Sequence, residues 1–428
     1  MRTIQTLFVF NFAYCIPTTA AFHSSRHLDS GSFHPGIHRS NVLFITRRPN
    51  SSIPSNAIHQ FNRANAKNSV VANNEDGTNP TDKRECQILL LDHLNINHQK
   101  GQHSLLKAFY FDFLKCAIDP RKYENYSAGK KTVWANIGMN QFHLPEGNPE
   151  AQVLDGKITL IYESLDGLRE RYERFFDGTS VEMDVLKDSK FDVRGIQTND
   201  QGRIAMQVTD PWGNHFEILQ SSDPSYDRAA HLGSQPILDG HPPSEGLAIK
   251  DLTIHVAPGS NLEGISRFYE RIMGASTVNI SDSSVSIAVG DRGQTLTFRC
   301  HPDGLMANNI RHHDFSFESS EEVDNLEYDG KTSYPMNYGP HISLYISNLP
   351  HAYQAAVDLG VLYVNPRFKR RAYTETEAID QCMFRIIDVV DPLDETKEVI
   401  LRLEHEVRAV VTRDGKKYKS YPLFEIQV

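Results

Sequence analysis

The sequence predicts an α+β fold: tandem paired βαβββ modules, four modules in two domains, behind a disordered N-terminal targeting segment. Three observations predict it. A pattern of strand, helix and further strands recurs four times between residues 86 and 412. A linker rich in Ser, Asp, Pro, Gly and His, residues 223–245, divides the cycles two and two. The stretch 23–85 is polar and has too few core-forming residues to fold by itself. A lone βαβββ unit leaves one sheet face bare, so two units pair and curl around a shared cleft.

At the N-terminus, Met1-Arg2 precedes the apolar run Leu7 to Ile16, which ends in Thr18-Thr19-Ala20-Ala21-Phe22. That is the pattern of a signal peptide, residues 1–22, and the run is too short for a stable membrane span. From His23 to Asn74 the only acid is Asp29, among six Arg and Lys and many Ser. Such a composition suits an organelle transit peptide, residues 23–85.

The first domain is expected over 86–222. Residues 86–97 read as a strand, and Leu105, Leu106, Phe109, Phe113, Leu114 and Ile118 lie at helical spacing over 103–118. Residues 132–138 and 140–145 read as two strands. The second cycle has a strand at 157–162, an amphipathic helix at 165–176, a strand at 203–208, an Asp-Pro-Trp-Gly-Asn turn at 210–214 and a closing strand at 215–219. The second domain is expected over 246–412, with a C-terminal tail at 413–428. Its strands are 252–256, 284–290, 294–300, 341–346, 383–389 and 399–407, and its helices 262–273 and 350–359. Residues 302–338, with His312 and His313, read as a polar excursion or lid.

Length and charge exclude several functions. A chain of 428 residues is too long for one ordinary core. A net charge of -10 with no basic block argues against nucleic acid and anionic membrane as partners. The cluster Arg367, Lys369, Arg370 and Arg371 reads as a solvated surface run. Cys15, Cys86, Cys116, Cys300 and Cys382 form no CxxC pair, so neither a disulfide scaffold nor a zinc knuckle is expected. No Walker loop, dinucleotide glycine motif or GxSxG elbow occurs.

Particular residues carry a family resemblance. Asp92-His93-Leu94-Asn95-Ile96 resembles the first strand of the vicinal-oxygen-chelate superfamily of glyoxalases, bleomycin-resistance proteins and extradiol dioxygenases. Asp210 to Glu217 resembles its last hairpin, and Pro340 to Tyr345 with Ala352 to Ala355 resembles its strand–helix pair. The resemblance covers about residues 86–410. It implies a divalent metal, Fe2+, Zn2+, Ni2+ or Mn2+, bound between paired modules by side chains of their first and last strands. Carried onto this chain, it implies His93, His143 and Glu217 as ligands, with Glu217 also the catalytic base. The fourth family position falls on Lys157, Ile158 or Thr159, none of them a ligand. In the second domain His341 and Glu404 are the weaker candidates. The implied function is a metal-dependent enzyme acting on a small oxygenated substrate by isomerase, lyase or dioxygenase chemistry. Two alternatives stand beside it: a metal-free small-molecule binding protein, and a non-catalytic assembly module. A homodimer is among the assemblies such modules form. The leader, with its Ala21-Phe22 junction, resembles the two-part plastid presequence of diatoms and related algae with complex plastids; the alternative is secretion.

Overall fold

A computed structural model describes residues 86–147, 151–199, 201–221, 238–290, 292–301, 340–365, 368 and 370–416. The expected signal and transit segments, residues 222–237 of the linker region, the excursion with His312 and His313, Arg367, Lys369 and residues 417–428 lie outside them.

Four segments follow one another. The first is β1 (Ile88–Asn95), α1 (His103–Leu106) continuing as π-helical turns over Lys107–Phe113, β2 (Ala117–Ile118), α2 (Tyr123–Ala128), β3 (Val133–Ile137) and β4 (Asn140–Leu144). The second is β5 (Gly156–Tyr162), α3 (Asp166–Phe176), β6 (Asp192–Thr198), β7 (Ile204–Thr209) and β8 (His215–Gln220). The third is β9 (Gly246–Val256), α4 (Leu262–Met273), β10 (Thr277–Ser281), β11 (Ser284–Ala288) and β12 (Thr295–Cys300). The fourth is β13 (His341–Ile346), α5 (Leu349–Leu359), β14 (Leu362–Tyr363), α6 (Glu375–Gln381), β15 (Met383–Val390) and β16 (Val399–Ala409).

The strands form two eight-stranded sheets, ordered β14-β15-β16-β13-β1-β4-β3-β2 and β10-β11-β12-β9-β5-β8-β7-β6. In every segment the first strand runs parallel to the last. That leaves each first strand one unpaired edge, which a second segment covers. The edge of β1 takes β13, and the edge of β5 takes β9, both antiparallel. The first segment therefore shares a sheet with the fourth, and the second with the third. The α+β fold of four paired modules stands, while the sheets cut across the boundaries 86–222 and 246–412 expected from chain order.

Strand alternation decides what each face does. On β16, Leu403, His405 and Val407 alternate with Glu404, Glu406 and Arg408, and all six are buried. The first set faces packed structure: His405 Nε2 lies 2.5 Å from the Tyr269 hydroxyl of α4. The second set faces a buried polar cluster with Asp92, His341 and Arg385, termed the hollow below. Helix α4 buries Leu262, Ile265, Phe268, Tyr269, Ile272 and Met273 along one stripe. Each such side chain contributes about 1.5–3 kcal/mol on burial. Asn261 caps its start by accepting from Gly264 N at 2.8 Å, and Gly274 ends it in the left-handed conformation.

The Asp-Pro-Trp-Gly-Asn turn is built as expected of a hairpin. Fully buried Asp210 accepts through Oδ1 from the backbone N–H groups of Trp212, Gly213 and Asn214 at 2.9, 2.7 and 2.8 Å. At the β3–β4 turn, Gly138 has φ 56° and lies so close to β9 that an added Cβ would sit 1.7 Å from the Leu247 carbonyl oxygen. The two sheets meet there. The helix expected over 103–118 stops at Phe113, because Lys115 has φ 53° and turns the chain into β2. Cys86, Cys116 and Cys382 are buried free thiols and Cys300 is a half-buried one. No helix among the described residues is long and apolar enough to cross a membrane.

Candidate metal centre

The hollow of the first sheet is lined by β4, β1, β13 and β16. The register sets His93 opposite Ser343 on β13, and Ser343 beside Glu406 on β16. His341 enters two residues away on the same face of β13. His93, His341 and Glu406 each offer one ligand atom, and the three atoms lie within 4.8 Å of one another. His341 Nε2 is 3.9 Å from Glu406 Oε2. All three residues are buried.

Their surroundings prepare them for a cation. Asp92 Oδ2 accepts from His93 Nδ1 at 2.8 Å. A carboxylate only accepts, so the proton sits on Nδ1 and the lone pair on Nε2. That Nε2 is buried and has no hydrogen-bond partner. A carboxylate behind a histidine is the usual support of a metal-bound imidazole. Burial drives the pKa of His341 down to about 3, with Arg385 and His93 adding to the effect and Glu404 and Glu406 opposing it. The ring is therefore neutral and can ligate.

Among the described residues, buried Asp92, Glu404 and Glu406 meet buried Arg385 and Arg408 around the triad. Arg385 bonds both Glu404 and Glu406. Arg408 Nε reaches Glu406 Oε1 at 2.9 Å, and its Nη1 reaches Asp92 Oδ2 at 3.1 Å. Burial alone would raise the pKa of Glu406, but the two arginines hold it far below the usual carboxylate range. A buried group of two imidazoles and an ionised carboxylate, one imidazole nitrogen unpartnered, fits a divalent ion.

The structure redistributes the ligands expected from sequence. His93 and His143 do come together, but as rings stacked 3.6 Å apart at 22°. Lone pairs lie in the ring plane, so near-parallel stacked rings do not converge on one ion. His143 also stacks on Trp134 at 4.3 Å. Its Nε2 donates to Gln141 Oε1 at 3.2 Å, an orientation fixed because Gln141 Nε2 donates to Asp119 and Asn136. Burial, then the neighbouring His93 and Arg408, pushes its pKa well below the ordinary value.

Glu217 is not in this hollow. It belongs to the second sheet, where β8 runs beside β5. Its carboxylate takes Lys157 Nζ at 2.8 Å, Gln207 Nε2 at 3.1 Å and Asn199 Nδ2 at 3.3 Å. Burial raises its pKa, but those donors outweigh burial and lower it, the wrong direction for a base. Neighbouring Asp251 is taken up by the hydroxyls of Thr253, Thr295 and Thr297. Glu404 does lie beside His341, paired in register. Its oxygens accept from Asn365 Nδ2 at 3.0 and 2.8 Å and from Arg385, and it is Glu406, two residues on, whose carboxylate lies within ligating reach of both His93 and His341. Strand alternation puts Glu404 and Glu406 on one face of β16, but only the pairing of β1 with β13 brings His93 level with Glu406.

Fold and site together define a class: a paired-module α+β protein whose sheet hollow gathers two imidazoles and a carboxylate. No family model and no curated protein matches the chain. Among solved structures it is similar to a dioxygenase candidate from Bacillus subtilis, at 13% identity and TM-score 0.42 over 76% of this chain and 86% of that one. It is also similar to glyoxalase I from Zea mays, at 13% identity and TM-score 0.40 over 76% and 92%. Lactoylglutathione lyase from Agrobacterium tumefaciens matches 31% of this chain and 93% of its own, at 14% identity and TM-score 0.22.

Proposed function

We propose that the chain is a metal-dependent enzyme of the vicinal-oxygen-chelate type, with a divalent ion held by His93, His341 and Glu406. The observation that carries this reading is the buried, unpartnered Nε2 of His93, aimed into a group that has a second neutral imidazole and a carboxylate. Two nitrogens and one oxygen favour iron(II), with Zn2+, Ni2+ and Mn2+ as the other ions of suitable character. When bound, such an ion supplies Lewis-acid polarisation of paired oxygens on a small substrate, for isomerase, lyase or dioxygenase chemistry. Asp92 keeps the His93 proton on Nδ1. Arg385 and Arg408 fix the Glu406 carboxylate and keep it ionised. His143, clamped by Trp134 and Gln141, keeps an uncharged ring beside the site and excludes water from it.

A second reading is favoured by Arg385 and Arg408, which already neutralise Glu406 without a metal. On it the hollow is a metal-free small-molecule binding site. Elemental analysis of the full chain after incubation with iron(II) or zinc separates the two. The enzyme reading expects bound metal in the parent chain and its loss from both His93→Ala and His341→Ala; equal metal content in all three removes it. We further propose that residues 1–85 direct import into a complex plastid, on the strength of their composition and the Ala21-Phe22 junction. A fluorescent fusion of that segment tests it, and accumulation in the medium would favour secretion instead.

A further inference from the structure

We infer that the loop after β1 carries a separate binding site for a zinc-like divalent cation, formed by His98, His103 and Glu146. It does not draw on the sheet hollow or on the reading given to it. The three ligand atoms lie within 4.8 Å of one another. His98 Nε2 faces His103 Nδ1 at 3.2 Å, and His103 Nδ1 lies 3.7 Å from Glu146 Oε1. Two nitrogens on a tetrahedral ion, each about 2.0–2.1 Å from it, sit about 3.3 Å apart, so the observed gap has the span that such an ion needs.

The rings are buried, at 1% and 5% exposure, so bulk water does not mediate between the facing nitrogens. Their far nitrogens, His98 Nδ1 and His103 Nε2, are buried and make no hydrogen bond. Backbone carbonyls of Pro145 and Leu144 flank His98, and those of Lys130 and Lys131 flank His103. His98 Nε2 and His103 Nδ1 lie at hydrogen-bond distance, and a cation that takes the place of the proton between them would use both lone pairs.

The backbone holds the three donors in position. His98 N donates to Pro145 O at 2.9 Å, and Gly147 N donates to His98 O at 2.7 Å. Gln152 clamps the same loop, accepting from Asn97 N through Oε1 at 2.7 Å. The Glu146 carboxylate accepts from Gly101 N at 3.4 Å and Lys131 N at 3.2 Å. A carboxylate held by two N–H groups keeps its remaining lone pairs for an ion. The Glu146 side chain is one-quarter exposed, and from that side a water could complete a tetrahedral set.

Cobalt(II) titration of the chelator-stripped full chain, read by its visible absorption, tests the site together with zinc content by elemental analysis. His103→Gln and Glu146→Gln are expected to lose about one equivalent of zinc and the tetrahedral cobalt band. His341→Gln, which disables the hollow, keeps that band. Asp155, His255 and His301 form a third group within ligating reach; ions there or at the hollow are untouched by these substitutions, so the difference from the parent reads this site alone. Unchanged zinc content and an unchanged band in both loop variants would overturn the inference. Glu146 is on a loop and part-exposed, so Glu146→Gln serves should His103→Gln not fold. In the His341→Gln background, a zinc-induced rise in Tm that is lost on adding Glu146→Gln supports the site, and an undiminished rise in that double variant refutes it.

Discussion

Asp92 and His93 are neighbours on one strand, yet their side chains hydrogen-bond at 2.8 Å. Regular alternation would send them to opposite faces of the sheet. The register of β1 against β13 slips between Leu91 and His93, and this irregularity turns the carboxylate toward the imidazole. The bulge thus sets the tautomer of the candidate ligand. Asp92→Asn is expected to weaken metal binding about 10- to 100-fold, the usual cost of losing a carboxylate behind a ligating histidine. Competition against a chromophoric chelator measures it; an unchanged affinity would detach Asp92 from the site.

Glu406→Gln is expected to abolish binding at the hollow and to destabilise the chain. It leaves Arg385 and Arg408 short of a buried counter-charge, a loss of about 3–5 kcal/mol. Glu217→Gln is the matched control. Its partner Lys157 is one-third exposed, so the loss is on the order of 1 kcal/mol, and metal content stays as it was. Urea unfolding with elemental analysis checks both variants side by side.

Acid should destabilise the metal-free chain well above the ordinary carboxylate range. Burial lowers the pKa of His405 from 6.5 to about 4. Between those values the unfolded chain binds a proton that the folded chain refuses, so stability present above pH 6.5 is lost as pH falls. The slope approaches about 1.4 kcal/mol per pH unit for this residue. His98, lowered to about 4, and His341, lowered to about 3, act with the same sign. Unfolding free energies between pH 7 and 4.5 should fall, and less steeply in His405→Gln; parallel slopes would count against this origin.

Gly138→Ala tests the contact between the sheets. The left-handed φ disfavours any side chain, and the Leu247 carbonyl occupies the place of the Cβ. The turn or β9 must move, at a cost of about 3 kcal/mol or more. A lowered urea midpoint with unchanged metal binding is the expected pair of results.

Local chemistry was legible in the sequence, and long-range pairing was not. The helix expected over 262–273 is α4 residue for residue. The Asp210 turn announces its hairpin. Strands β6 and β10 escape because exposed polar edges, such as Thr277 to Ser281, carry no burial pattern. For the site, His93 and His341 could be named as ligand-type residues on first strands. Which of them share a hollow depends on β1 choosing β13 over β5, a choice made by tertiary packing. Glu217 was attached to His93 because both fell in the first half of the chain. Glu406 was passed over for Glu404 because a face can be read from alternation, whereas depth within a hollow cannot.

The sheet shared by the first and fourth segments also sets a timetable. Asp92 and Arg408 are 316 positions apart, yet their side chains meet. During synthesis β1 emerges early and waits with a bare edge until β13 leaves the ribosome, while β5 and β9 can already zip together. The middle of the protein can thus mature before its ends. A chain cut short before β13 would keep one complete sheet and lose His341 and Glu406 entirely.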